Sequence, residues 1–390
     1  MIPLIPLLVA LAFNTAMTAA RDDAGRAPAS VFKAFLKKEM DSTGGEKYTL
    51  EDGPHVFWQD DSTAVVFYYR DGALEQRTFI GGDTIAFQGF AWDSASVYSI
   101  PAAPPARQPC LFEGVSRFLA VSDIHGDYEH FREILMSAEV IDSTCNWAWG
   151  DGHLVIDGDV FDRGPRVTEC LWLIYRLEQE AALSGGRVHF LLGNHELMVI
   201  RGDLRYVHER YLEGIAGSTG LHYEDLFGPD TELGRWLRTR PTAIIIDETL
   251  FVHAGIAPGS PAEYLPVQAI NEIVWSGLDY STVRLKFSPA VRTLYGSLGP
   301  LWYRGFHYEM EDDYPEATRE EVETLLDFYN VDRIVVGHTE LDSLTALYDG
   351  RVLAIDVAVE DLGGQQALLC EDDRLYALHS DGTRQEISGE

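Results

Sequence analysis

From Ser116 onward, short continuous apolar runs alternate with longer segments whose apolar residues recur every three or four positions. Short runs of three to five mainly apolar residues bounded by turn formers predict buried strands, and the longer periodic segments predict amphipathic helices. Strands are predicted at Phe118–Val121, Leu154–Ile156, Val188–Leu192, Ala243–Ile246, Leu250–Val252 and Ile334–Val336. The turn residues Asp247 to Thr249 split the fourth from the fifth. Helices are predicted over 128–139 and 165–183. In the second, Val167, Leu171, Ile174 and Leu177 make one apolar face, Pro165 suits the first turn, and Gly185-Gly186 stops the helix. Strands alternating with helices indicate an α/β layered fold. The tail from Ser343 to Ile387 alternates turns and strands and is expected to complete a sheet.

Upstream the pattern differs. Residues 47–100 are rich in β-branched and aromatic residues, and Thr63–Tyr69 and Leu74–Ile80 predict hairpins with turns at Asp71-Gly72 and Gly81-Gly82. A polar leader at 22–44 carries a short amphipathic stretch from Val31 to Met40. Pro101, Pro104, Pro105 and Pro109 form a stiff linker. The expected division is a removable segment at 1–20, a β-rich region at 21–112 and a larger α/β domain at 113–390.

Composition narrows the partners. The 390 residues hold 62 acidic and 30 basic side chains, a formal charge of −32. Nucleic acid and anionic membranes are bound by net positive surface, so neither is expected as the main partner. Lysine is confined to Lys33, Lys37, Lys38, Lys47 and Lys286, so nearly all positive charge is arginine, which grips oxyanions with two parallel hydrogen bonds. Ile2–Phe13 is apolar and uncharged, and the small residues Ala16, Thr18, Ala19 and Ala20 follow it. This is the pattern of an export signal, implying a periplasmic or secreted protein with no stable membrane insertion after cleavage; an uncleaved anchor is the rival reading. Cys110, Cys145, Cys170 and Cys370 have no zinc-ligand spacing. In an oxidising compartment a Cys110–Cys145 bridge is one option, and Cys170 falls on the apolar stripe of a helix.

The chemistry lies where strands end. Five predicted strands run into polar clusters: Asp123-Ile124-His125-Gly126, Gly158-Asp159-Val160-Phe161-Asp162-Arg163-Gly164, Gly193-Asn194-His195-Glu196, Val252-His253-Ala254-Gly255 and Gly337-His338-Thr339. Ligands of open α/β sheets bind outside the carboxyl ends of strands, so the five clusters can converge on one place. Their donors are oxygen and imidazole nitrogen with no thiolate, which suits Mn, Fe or Zn. Asp123 and His125, two apart at a strand end, project to the same side. Asp159 and Asp162 are three apart on a turn and can serve different roles. Other histidines, His130, His153, His189, His208 and His222, read as ordinary satisfied polar groups.

This series resembles the calcineurin-like metallophosphoesterases, within them the phosphoprotein phosphatases, and most closely the Shewanella-like branch. The Leu301-Trp302-Tyr303-Arg304-Gly305 segment supports that branch, and the resemblance covers about residues 115–360. It implies a four-layer αββα sandwich with two divalent or trivalent metal ions at the strand ends. Asp123 and His125 would hold the first ion, Asp159 would bridge both, and Asn194, His253 and His338 would complete the second. A hydroxide shared by the metals would attack phosphorus, and His195, oriented by Asp162, would protonate the leaving oxygen. Arg163 and Arg304, with Asn194, would bind the phosphoryl oxygens. The chain departs from the eukaryotic phosphoprotein phosphatases at Ser122, Asp127 and Leu192, where those enzymes usually have Gly, Gln and Arg. The expected activity is hydrolysis of phosphorylated proteins, on phosphotyrosine, phosphoserine or phosphothreonine. A small-molecule phosphatase, a dinucleoside polyphosphate hydrolase and a non-catalytic phospho-ligand module are the competing readings.

Overall fold

The computed structural model describes residues 51–70, 73–82, 84–89, 97–212, 220–307, 314–357 and 366–387. The export signal, the leader with its amphipathic stretch, and the Asp71-Gly72 turn lie outside the described residues. The chain divides into two compact units, one of 1–106, 198–239 and 279–283, the other of 107–197, 240–278 and 284–390.

In the first unit, β1 (Asp52–Asp60), β2 (Thr63–Arg70) and β3 (Ala73–Ile80) form an antiparallel meander. The hairpin β4 (Thr84–Gln88) and β5 (Val97–Pro101) is separate. The segments 198–239 and 279–283, which the sequence pattern leaves within the larger domain, group with these strands. The physical reason is partly visible at β1. Phe57 bridges to Thr231, the Trp58 amide donates to the Asp230 carbonyl at 2.8 Å, and the Trp58 indole donates to Glu232 at 2.7 Å. The Arg235 guanidinium stacks 4.3 Å from the Trp58 ring. Such a non-local docking leaves no periodic signal in sequence.

The second unit is built on two six-stranded sheets. It begins with β6 (Leu111–Phe112) and β7 (Arg117–Val121). Helix α1 (Tyr128–Ser137) leads to β8 (His153–Ile156), and α2 (Val167–Leu183) leads to β9 (Arg187–Phe190). Strands β7, β8 and β9 are parallel neighbours, as the βαβ pattern requires. After α3 (Asn194–Ile200) come β10 (Ala243–Ile246), β11 (Thr249–Val252), α4 (Val267–Gly277), α5 (Arg319–Tyr329) and β12 (Arg333–Val336). The tail supplies β13 (Thr345–Leu347), β14 (Val352–Ala354), β15 (Gln366–Glu371), β16 (Arg374–His379) and β17 (Arg384–Glu386).

The strand orders are β13-β14-β12-β11-β10-β6 and β17-β16-β15-β7-β8-β9. The tail thus serves both sheets rather than completing one: β13 and β14 extend the first, and β15 pairs antiparallel with β7 to extend the second. The rings of Phe118 on β7 and Phe251 on β11 meet edge-on at 5.2 Å between the sheets. Leu119, Val155, Ile244, Leu250 and Val335 are completely buried. Helices α2 and α4 lie against β9 and β10, giving helix, sheet, sheet, helix. Asn271 on α4 ties its layer down by accepting from the Thr242 and Ala243 amides and donating to the Ala243 carbonyl.

Two local expectations change. Pro165 precedes α2 instead of opening its first turn, because the Arg166 amide is drawn to the Gly126 carbonyl and Arg166 becomes the N-cap. All four cysteines are free, so the Cys110–Cys145 bridge is not formed; the Cys110 thiol donates to Gln268 instead. Cys170 is fully buried on α2. No helix among the described residues is long and apolar enough to cross a membrane.

Candidate active site

Each cluster sits just past a strand end. Ser122 to His125 follow β7, Asp157 to Arg163 follow β8, Asn194 and His195 open α3 after β9, His253 follows β11 and His338 follows β12. The turns are tight enough that Asp123, His125, Asp159, Asp162, Arg163 and His338 all take positive φ, between 47° and 71°. Side chains other than Gly adopt this region at a cost, and such residues cluster at functional sites. Gly164 makes one close approach possible: a Cβ there would lie 2.3 Å from the His125 carbonyl oxygen.

The loops bring the acids and imidazoles together. Asp159 Oδ2 lies 3.1 Å from His253 Nε2 and 3.9 Å from His195 Nε2. Asn194 Oδ1 is 3.0 Å from the same His253 nitrogen. Ligand atoms of Asp159, His253 and His338 lie within 4.8 Å of one another, and so do those of His125, Asp159 and His195. Asp159 belongs to both groups. Asp123 Oδ1 stands 3.7 Å from His125 Nε2, beside the His125–Asp159–His195 group. The sequence-predicted ligands therefore converge, with His195 an additional neighbour on the His125 side.

The donors fit metal ions. His125 Nδ1 pairs with the Phe161 carbonyl at 2.8 Å, and His253 Nδ1 with the Asp157 carbonyl at 2.7 Å. Each ring is thereby fixed to present Nε2 to the centre, as ligating histidines commonly are. His338 Nε2 is buried with no hydrogen-bond partner among the described residues. Burial lowers the pKa of His125, and burial with the His253 and Arg304 charges holds His338 well below the usual range, so both rings stay neutral, the form that can ligate a metal. Burial alone would raise Asp159 and lower His253, but their mutual attraction prevails, so Asp159 is ionised and His253 is raised. A cation taking the place of the His253 proton would release it.

His195 Nδ1 contacts Asp162 Oδ2 at 2.6 Å. Burial disfavours its charged form, yet Asp159 and then Asp162 outweigh that, leaving its pKa raised. Arg163 is exposed, and its charge acts on His125. Arg304 is half-buried, donates to Thr339 Oγ1 at 3.2 Å and acts on neighbouring His338. The Trp302 ring stands edge-on 6.0 Å from the His338 ring.

Several residues without a sequence-assigned role shape the site. Glu196 is completely buried and accepts four backbone amides, from Asp159, Val160, Phe161 and Gly193. It thus fixes the loop that carries Asp159. Its presence in Gly-Asn-His-Glu was the available signal, but the same spelling describes an exposed acid in a first helical turn. Asp157 is buried with neither carboxyl oxygen partnered among the described residues, and burial pushes it up to about 8. Asp356, also buried, is held well above the usual carboxylate range by desolvation and by Asp123. A cavity of about 410 Å³ lined by Leu111, Glu113, Asp151, His153 and Arg187 opens at the other ends of β7 to β9 and holds none of the site residues.

Glu196→Ala orphans four buried amides at once, and each unsatisfied donor costs about 1–3 kcal/mol. We expect it to be among the most destabilising single changes, lowering the chemical-denaturation midpoint sharply. An unchanged midpoint would contradict the anchoring role.

Residues 116–340 match the calcineurin-like phosphoesterase family model, and the chain belongs to that family of metal-dependent phosphoesterases, whose members bind two metal ions. The chain is similar to the solved cold-active protein-tyrosine phosphatase of a psychrophilic Shewanella species, with 34% identity, TM-score 0.77, and 87% of this chain and 100% of that one covered. Among sequence relatives, an uncharacterised protein of Schizosaccharomyces pombe is 32% identical over 64% of this chain and 75% of its own length. Shewanella-like protein phosphatase 2 of Arabidopsis thaliana is 28% identical over 68% of this chain and 78% of its own length. The enzyme is a metal-dependent phosphatase with the calcineurin-like fold and a strand-rich N-terminal region.

Proposed function

We propose that the enzyme removes phosphoryl groups from phosphoproteins, phosphotyrosine included, outside the cytoplasm. The observation that carries this reading is the pair of donor groups sharing Asp159, with the His195–Asp162 pair beside them. Likeness to a protein-tyrosine phosphatase and to a Shewanella-like protein phosphatase supports a phosphoprotein substrate. The apolar N-terminal run supports export.

When bound, two cations neutralise the phosphate charge and make a water nucleophilic near neutral pH. Asp123, His125 and Asp159 would hold one, and Asp159, Asn194, His253 and His338 the other. The protein's own groups supply the rest. Arg163 and Arg304 donate to the phosphoryl oxygens, offsetting charge that grows in the transition state. Asn194 can donate its amide hydrogens to phosphate. His195 carries a proton at Nε2 in its cationic form, which Asp162 favours by accepting the hydrogen bond from Nδ1, and it passes that proton to the departing oxygen. The leaving group of a serine phosphate needs this proton far more than that of an aryl phosphate.

Purified enzyme should hydrolyse phosphotyrosine and phosphoserine peptides and p-nitrophenyl phosphate, lose activity to a chelator, and regain it with Mn²⁺. Turnover confined to a dinucleoside tetraphosphate, or indifference to the chelator, would refute the proposal.

A further inference from the structure

Asp123 Oδ2 is engaged by Ser122 and by the His338 amide, which leaves Oδ1 toward His125. The Ser122 hydroxyl is buried, 2.5 Å from Asp123 Oδ2 and 3.1 Å from the Asp157 carbonyl. It has a single hydrogen, and the shorter, charge-assisted contact takes it. The His338 amide donates to the same Oδ2 at 2.9 Å. Both lone-pair sites of that oxygen are thereby used, while Oδ1 remains on the side of His125 Nε2. The neighbourhood is built around this contact. A Cβ at Gly337 would fall 1.9 Å from Ser122 Oγ and 2.5 Å from Asp123 Oδ2, so only glycine lets the His338 backbone come this close. Asp123 also sits at φ 51°, a conformation that surrounding contacts must hold in place.

We propose that Ser122 is a positioning residue for the first cation, its hydroxyl clamping Asp123 Oδ2 so that Oδ1 alone faces the metal. This rests on the two-cation reading of the site. Two effects of the hydrogen bond compete. It draws charge from the carboxylate, which weakens a ligand, and it fixes the carboxylate's orientation, which strengthens one. Orientation dominates, because an Asp123 held by the His338 amide alone could swing about that single bond and turn Oδ1 away from the cation. Loss of such outer partners typically weakens metal binding about 10- to 100-fold.

The test is calorimetric titration of chelator-stripped wild type, Ser122→Ala and Asp123→Asn with Mn²⁺, together with thermal melts of the stripped proteins. Wild type should bind two ions. Ser122→Ala should weaken one site by about 10- to 100-fold, the same site that Asp123→Asn loses, while the other site and the melting temperature of the stripped protein stay unchanged. Two unaltered affinities would overturn the proposal. Equal weakening of both sites, or a stripped variant that melts much lower, would overturn it too, by showing a general structural role. A wild type that takes up no pair of ions would instead sink the two-cation reading beneath it.

Discussion

Asp159→Asn should abolish nearly all turnover, by about 10³-fold or more, and should remove much of the affinity for metal. Asp159 is the one side chain common to both donor groups, and it is completely desolvated among His125, His195 and His253. Replacing its charge by an amide leaves those imidazoles without their anion. Two cations could not then be held close together, and the several kcal/mol of charge stabilisation they supply would go with them. Steady-state turnover and bound metal per chain measure both consequences. Normal turnover with undiminished metal content would refute the bridging role.

His195→Ala should have the opposite signature: metal retained, chemistry slowed. General acid catalysis contributes about 10²–10⁴-fold, and that loss should fall on phosphoserine peptides far more than on p-nitrophenyl phosphate. The geometry also lets His195 serve as a ligand, since its Nε2 joins the His125–Asp159 group. Metal lost from the Ala variant would assign that role; equal slowing of both substrates would count against the acid. The pH profile separates them further. Burial would lower the His195 pKa, but Asp159 and Asp162 raise it above its ordinary value. Cations on Asp159 take up its share of that rise, so in the loaded enzyme the Asp162 hydrogen bond holds the proton, and the rate on phosphoserine should fall as pH rises past the His195 pKa. Asp162→Asn removes one raising charge, so this basic limb should move to lower pH. A limb that does not move would mean another group titrates there.

The site was more legible in the sequence than the fold that carries it. An apolar run ending in Asp, His or Asn states both a strand and the direction of its polar end, so Asp123, Asp159, His195, His253 and His338 could be placed without knowing the strand order. Arg304 comes from the family resemblance that its aromatic segment supports, and it donates to Thr339, the residue after His338. What stayed hidden depends on contacts between distant segments. The attachment of Thr231 to Phe57, the pairing of β6 with β10 and the division of the tail between two sheets have no local pattern. Ser122 and Glu196 were spelled out but not interpretable, because their roles consist of which oxygens and amides they meet. Pro165 misled for the same reason: its suitability for a first helical turn lost to the Gly126 carbonyl that captures Arg166.

The most direct test of a two-cation centre is anomalous X-ray diffraction from crystals of the protein grown with Mn²⁺. The expected result is two anomalous peaks about 3.5–4 Å apart on either side of the Asp159 carboxylate, one reached by Asp123 and His125, the other by Asn194, His253 and His338. A single peak away from Asp159, or none at saturating metal, would contradict it.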